Sequence, residues 1–320
     1  MQSVVICGAG QLGRRYLEGI IKTELELNIV VYDIKEKAIA DTKSFIESLP
    51  NYKRNQNIIY TSDLSLIPSN IDLCIISTTA NSRLEILSSI KESCIVKNWI
   101  LEKVLAQSSY QVERMMKIIP PGANAWVNTP MRIMAWQQSI KQQVKKYIEG
   151  PVSIAVNGSD WGMACNSIHY IDLISWLIES DIDKVSCTEL CSWHQSKRPG
   201  FYDVYGSIAI RYQNSSTLIL NSKNEKDSKY VKIKVETSSG NWTIHETEGK
   251  AVGPSGEIIN GRLEFQSEMT PTLVKEILTE GRCMLPSLKE SALQHKLLLD
   301  GLLDSWNKFN CSVDSLVPIT

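Results

Sequence analysis

The chain has 320 residues, 43% of them hydrophobic and 22% charged, which is ordinary for a globular protein of one large or two ordinary domains. Lys and Arg number 34 against 35 for Asp and Glu, a net charge of −1, so composition gives no electrostatic case for a nucleic acid or an anionic membrane as partner. No apolar run approaches the ~18 residues of a membrane span. The first residues already read as a strand, so no signal peptide is expected. Eight scattered cysteines, several inside apolar runs, read as free buried thiols in a reducing cytoplasm.

In chain order, the β-favouring run Val4–Cys7 leads directly into Gly8-x-Gly10-x-x-Gly13. Leu12, Tyr16, Leu17, Ile20 and Ile21 then recur at helical spacing, predicting a helix over Leu12–Lys22. Asn28–Asp33 reads as a second buried strand. This is the layout of a dinucleotide-binding βαβ unit. Gly8 permits the tight turn, Gly10 lets backbone approach a pyrophosphate, and Gly13 lets the helix sit on the strand. Gln11 and Leu12 complete the turn at the helix N-terminus, where free N–H groups and the helix dipole hold phosphates. Asp33, roughly 20 residues past the last glycine, is placed to accept hydrogen bonds from ribose hydroxyls. Its charge disfavours a 2′-phosphate and so favours NAD, while the nearby Lys35 and Lys37 leave NADP open.

Further along, the pattern predicts a helix over Glu36–Leu49, a strand over Ile58–Tyr60 and a turn or short helix at Asp63-Leu64. Ile71–Ser77 is a near-continuous apolar strand, as parallel buried strands are. Thr78, Thr79 and Asn81 follow at its carboxyl end, the side that faces a cofactor crevice. Helix Arg83–Glu92, strand Trp99–Lys103, helix Ser108–Ile119 and strand Asn124–Asn128 complete the alternation. From Met131–Glu149, read as one long helix, the character changes. Strands at Val152–Asn157, Val185–Ser192, Tyr205–Tyr212, Thr217–Asn221, Tyr230–Thr237 and Trp242–His245 surround one helix, Ser167–Ile178. Residues 249–262 read as a surface loop, and helices over Pro271–Glu280 and Ser287–Lys308 end the chain. The expected fold class is α/β: a doubly wound parallel sheet over residues 1–128, then an α+β domain over residues 129–320 with a mostly antiparallel open sheet.

Chemistry-bearing residues lie at stations along this order. Glu102, Lys103 and Asn128 fall at carboxyl ends of predicted parallel strands. Lys103 is placed to donate to a substrate oxygen, and equally to snorkel at the surface. Arg132 is suited to a carboxylate or phosphate, or to a salt bridge at a helix start. His169 and Asp172, three apart, share a helix face. His169 fits proton exchange near neutral pH, or a plain hydrogen-bonded role at a helix start. Cys187-x-x-x-Cys191-x-x-His194 lacks a second ligand pair, so no metal site is expected.

Together GAGQLGRR at 8–15, LEKVLA at 101–106, VNTPMR at 127–132 and SIHYIDL at 167–173 resemble the glucose–fructose oxidoreductase / inositol dehydrogenase (Gfo/Idh/MocA) family over essentially the whole chain. The resemblance implies a Rossmann domain and hydride transfer between NAD(P) and a hydroxyl-bearing carbon of a sugar, sugar nucleotide or polyol. It further implies Glu102 near the nicotinamide ribose, Lys103 near the reacting oxygen, His169 as proton relay and Asp172 in the substrate pocket. Asn128, Arg132, Asp160 and Trp161 would add polar contacts. It also implies a homodimer or homotetramer through the second sheet, for which Val231, Ile233 and Val235 are the apolar candidates. Two positions depart from the family. Val104 stands where the family has Pro, so a cis peptide after Lys103 is not expected. Cys165 stands where many members carry an Asp, which leaves Asp160 or Asp172 to replace that carboxylate, or the chemistry altered. The alternatives to a plain dehydrogenase are a regulatory protein that binds the nucleotide without turnover, and an enzyme that retains its cofactor to drive elimination or hydrolysis.

Overall fold

The computed structural model describes residues 1–50, 57–225 and 230–320. They form two compact units. The first holds residues 1–106, 113–128 and 264–289, and the second holds 107–112, 129–263 and 290–320. The chain passes to the second unit for residues 107–112 and again from Thr129. Residues 264–289 then return to the first unit.

In the first unit strands and helices alternate: β1 Gln2–Cys7, α1 Gln11–Ile20, β2 Leu27–Tyr32, α2 Glu36–Glu47, β3 Asn57–Thr61, β4 Asn70–Ile76, α3 Ala80–Ser93, β5 Ile95–Glu102, α4 Ser109–Ile118 (from residue 113 onward) and β6 Asn124–Asn128. All six strands pair in parallel, in the order β3-β2-β1-β4-β5-β6. The order reverses between β1 and β4, and ligands of doubly wound sheets bind outside the carboxyl strand ends at such a reversal. The apolar runs are the sheet's interior: Val4–Cys7, Leu73–Ile76 and Trp99–Leu101 are each 0% exposed.

The second unit runs α5 Ala135–Val144, β7 Ser153–Ser159, α6 Met163–Ile178, β8 Ile182–Gln195, β9 Tyr202–Tyr212, β10 Thr217–Lys223, β11 Val231–Thr237, β12 Gly240–His245, β13 Lys250–Val252 and β14 Ile258–Asn260. Its sheet has the order β14-β13-β12-β11-β7-β10-β9-β8, with β7 and β10 the parallel pair among antiparallel neighbours. Ile233 and Val235 are fully buried inside the chain's own unit, so they are core residues. The remaining helices are α7 Gln266–Glu280, in the first unit, and α8 Leu288–Asn310.

Four expectations change. Met131–Glu149 is not one helix: a 3-10 turn at Pro130–Ile133 precedes α5, Met134 between them is extended at ψ 131, and a second 3-10 turn covers Lys145–Tyr147. The break lets Trp136 donate its indole N–H to the Ile259 carbonyl at 3.2 Å and pack against Gly261. Residues 249–262 hold two short strands, β13 and β14, which complete the sheet edge. Helix α6 begins at Met163, four residues early, after a left-handed Gly162. Helix α7 begins at Gln266, five residues before Pro271, because the Glu268 carboxylate accepts the Phe265 N–H at 2.7 Å and caps it there.

Two glycines of the first turn make opposite demands. A Cβ on Gly13 would lie 1.9 Å from the Gly8 carbonyl oxygen, whereas one on Gly10 meets nothing within 4 Å. Gly13→Ala should therefore lower the melting temperature, by an overpacking cost of ~1–3 kcal/mol. Gly10→Ala should leave the nucleotide-free melt unchanged. Equal melts for the two variants would show that α1 is not seated on the turn.

Candidate functional site

At the end of β1 the chain folds into a cradle. Gly8 has φ +109°, a left-handed value that favours glycine, and its N–H bonds the Tyr32 carbonyl at 2.8 Å. Helix α1 has Gly10 as its N-cap with no side chain capping it, so the first helical N–H groups are turned to the open position beside Gly10. Gln11 is exposed and Leu12 half-buried there. Asp33 leaves β2 beside this turn. One carboxylate oxygen accepts the Ala9 N–H at 2.7 Å and the other the Lys35 N–H at 2.9 Å. These bonds hold a negative charge next to the glycine turn. Thr78 and Thr79, half-buried, and Asn81, exposed, follow β4 on the same edge, where the Thr79 hydroxyl donates to Asn81 at 2.7 Å.

At the ends of β5 and β6 the polar groups knit together. Glu102 is 2% exposed, and one of its oxygens accepts the Tyr16 hydroxyl at 2.6 Å and the Asn128 amide at 2.7 Å. Burial raises its pKa, and these two bonds with the Arg83 charge oppose that rise. Asn128 also donates to Gln266 at 2.8 Å, and its own amide oxygen is buried without a protein partner. Lys103 is half-buried at the exit of β5, and the Lys103–Val104 peptide is cis despite the absence of proline, contrary to the expectation from Val104. Arg83 in α3, 1% exposed, donates to the Thr78 and Val104 carbonyls and to the Leu105 carbonyl at 3.0 Å.

In the second unit α6 carries the remaining candidates. Asp172 is 0% exposed and takes both arms of the buried Arg132 guanidinium, Nε at 3.0 Å. Arg132 also reaches Glu290 at 2.9 Å. The salt-bridge alternative for Arg132 is thus the one present. Desolvation pushes Asp172 up to about 6, against the pull of Arg132. His169 and Cys165 are half-buried on α6, and the Cys165 thiol leans on the Gly162 carbonyl at 3.6 Å. Asp160, at the end of β7, has a left-handed φ of 47° and receives the Tyr205 hydroxyl at 3.4 Å. Such backbone conformations in non-glycine residues gather at functional sites. Trp161 packs edge-on against Tyr170 at 5.3 Å between ring centroids. Tyr170 in turn donates to Glu246 at 2.8 Å, and burial raises that carboxyl to about 7.

The sequence-derived candidates therefore fall into two groups. The glycine turn, Asp33, Thr78, Thr79, Asn81, Glu102, Lys103 and Asn128 belong to the first unit, and Arg132, Asp160, Trp161, Cys165, His169 and Asp172 to the second. Tyr16, Arg83, Gln266, Tyr205 and Glu246 escape the sequence reading. Of these only Arg83 leaves a sequence signal, as a charge in the apolar stripe Ala80, Arg83, Leu87, Ile90 of α3. Cys187 is buried and Cys191 exposed, and the described residues contain no His, Cys, Asp and Glu cluster arranged to hold a metal ion.

No family model and no curated protein matches the sequence. Solved structures do match. Scyllo-inositol dehydrogenase from Lactobacillus casei, with bound NAD(H) and scyllo-inositol, is 16% identical, with 97% of this chain and 98% of that one covered and a TM-score of 0.68. The WlbA dehydrogenase from Bordetella pertussis, in complex with NADH and UDP-GlcNAcA, is 15% identical over 96% of each chain, with a TM-score of 0.72. A super-repressor mutant of Gal80p from Saccharomyces cerevisiae is 15% identical over 97% of this chain and 96% of that one, with a TM-score of 0.74. The chain shares its fold with these structures over nearly its whole length.

Glu246 gives a pH signature. Its value rises from 4.5 to about 7 on folding, so the folded protein holds a proton that the unfolded chain releases. That contribution to stability is present below the unfolded value and is lost as pH rises through about 7. Glu246→Gln should keep the Tyr170 bond and flatten the melting temperature against pH between 5 and 8. Parallel curves for wild type and variant would refute the assignment.

Proposed function

We propose that this protein is an NAD-dependent oxidoreductase that moves a hydride between the nicotinamide and a hydroxyl-bearing carbon of a sugar, sugar nucleotide or polyol. The observation that carries the reading is the cradle of the first unit. An uncapped helix N-terminus, an open space beside Gly10 and the Asp33 carboxylate lie on the same sheet edge as Lys103. Gly8, Gly10, Gln11, Leu12 and Gly13 would hold the pyrophosphate and Asp33 the adenosine ribose. Thr78, Thr79, Asn81, Glu102 and Asn128 would line the remaining length, Asn128 offering its unpartnered amide oxygen. NAD, when bound, supplies the hydride acceptor or donor. The bound cofactors and sugar-like ligands of the L. casei and B. pertussis structures support this choice.

Within this reading Lys103 donates a hydrogen bond to the reacting oxygen and His169 exchanges the proton. Both are half-buried, as groups that meet a ligand must be. Asp172 and Arg132 are buried against each other, so they hold α6 in place. Substrate contact falls to Asp160, Trp161, Cys165 and His169, a polar and aromatic set suited to hydroxyl groups. Cys165 is a thiol where a carboxylate would otherwise bind a hydroxyl, and this observation, with the Gal80p likeness, supports a second reading as a nucleotide-binding regulator without turnover. The eight free thiols support a reducing cytoplasm. Among the described residues no helix is long and apolar enough to cross a membrane. We also propose a homodimer or homotetramer through the second sheet, as the resemblance implies, with the half-buried Val231 the remaining apolar candidate; light scattering tests it.

NAD⁺ should bind at least ~10-fold more tightly than NADP⁺, measured by quenching of tryptophan fluorescence, because the carboxylate repels a 2′-phosphate. Asp33→Ala should weaken NAD⁺ and narrow the ratio, and an unchanged ratio would remove Asp33 from the ribose site. A panel of polyols and UDP-sugars identifies the substrate. Lys103→Ala should then lower kcat by ~10²–10⁴ while NAD⁺ affinity stays within about 3-fold. A Lys103→Ala protein at the wild-type rate would defeat the catalytic assignment. NAD⁺ binding with no turnover across the panel would favour the regulator.

A further inference from the structure

Among the described residues Arg83 is the most deeply buried charge of the first unit with no carboxylate bonded to it. It occupies one position of the apolar stripe of α3, above Leu87 and Ile90, where a core would ordinarily take leucine. Its guanidinium spends its hydrogen bonds on three carbonyl oxygens, those of Thr78, Val104 and Leu105. None belongs to a helix or strand. Thr78 lies in the turn after β4, among the groups assigned above to the cofactor, and Val104 and Leu105 lie in the turn after β5, directly behind Lys103. Only a rigid, planar, multiply donating fork can bridge two loops in this way, and lysine offers a single point charge instead. Burial lowers Arg83 only to about 10, with Glu102 and Tyr16 holding it up, so it stays charged at neutral pH.

We propose that Arg83 is a positioning residue that ties the turn carrying Lys103 to the Thr78–Thr79 turn, so that the lysine and the cofactor-facing loop are set together. The sequence adds a reason. Val104 replaces the proline that the resembling family carries there, and the Arg83 bonds to Val104 and Leu105 fix that turn from behind. The proposal rests on the oxidoreductase reading for the roles of Lys103 and Thr78, and on geometry alone for the link between them.

The link can be read without a substrate. Lysines of the full-length protein are reductively methylated with ¹³C-formaldehyde, and the Lys103 resonance is assigned from its loss in Lys103→Arg. In the wild type it should be a single line that moves on addition of NAD⁺. In Arg83→Leu it should broaden or split, its titration midpoint should move by ~0.5 pH unit or more as its surroundings change, and its response to NAD⁺ should disappear. The variant should still melt cooperatively and bind NAD⁺ within about 5-fold of wild type. Where Arg83→Leu does not fold, Arg83→Lys keeps the charge without the fork and should give the same loss of response. A folded Arg83 variant whose Lys103 line, titration and NAD⁺ response match the wild type would overturn the proposal. So would a wild type that binds NAD⁺ with no movement of Lys103. If the wild type binds no NAD⁺, the oxidoreductase reading fails by itself, and the titration of Lys103 without nucleotide still decides whether Arg83 sets it.

Discussion

The first unit is built around a carboxylate that burial alone would expel. Glu102 ends β5 inside the protein, where desolvation opposes its charge. It is tolerated because Tyr16 from α1 and Asn128 from β6 both donate to it, and Asn128 is itself tied to Gln266 of α7. One hydrogen-bonded group thus joins four elements that the parallel sheet alone would leave as separate neighbours. Removal of any donor strands an acceptor in a low dielectric, which costs more than the bond contributes. This rigidity matters because the next residue is Lys103. A flexible lysine projects from a strand end that cannot move without breaking the network.

The second unit answers the same problem with an ion pair. Asp172 and Arg132 are each nearly inaccessible, and their two-armed contact fixes α6 against the 3-10 turn at Pro130–Ile133. Histidine and cysteine on the same helix are left half-exposed. The helix therefore has one side committed to structure and one that is half-exposed. Asp160, just past the end of β7, and Tyr205, within β9, pair with each other shortly before its first turn.

Much of this was legible in the residues. Runs such as Val4–Cys7 and Leu73–Ile76 are apolar throughout because both faces of a parallel strand are covered. Asn124–Asn128 has the bounds that its pattern gives. The misreadings have a common origin in contacts distant in sequence. Met131–Glu149 has helical periodicity, yet the pull of Asp172 on Arg132 and of Ile259 on Trp136 breaks it at Met134. The short strands within residues 249–262 exist because β12 offers them an open edge, which no local propensity encodes. Tyr16 and Gln266 look like ordinary helix residues until Glu102 of β5 and Asn128 of β6 meet their polar ends. Lys103 kept a cis bond that valine does not announce.

The return of residues 264–289 to the first unit bears on how the protein is made. Gly19 of α1 has Thr270 of α7 against it, with only 2.5 Å to a hypothetical Cβ, and Val127 of β6 donates to the Pro286 carbonyl at 3.0 Å. These partners emerge from the ribosome long after the sheet they complete. Domains generally finish folding as their last segment is synthesised. Here the first unit begins first and closes only after the whole second sheet has been translated, so a nascent chain halted at residue 128 carries six strands with one helical cover still missing.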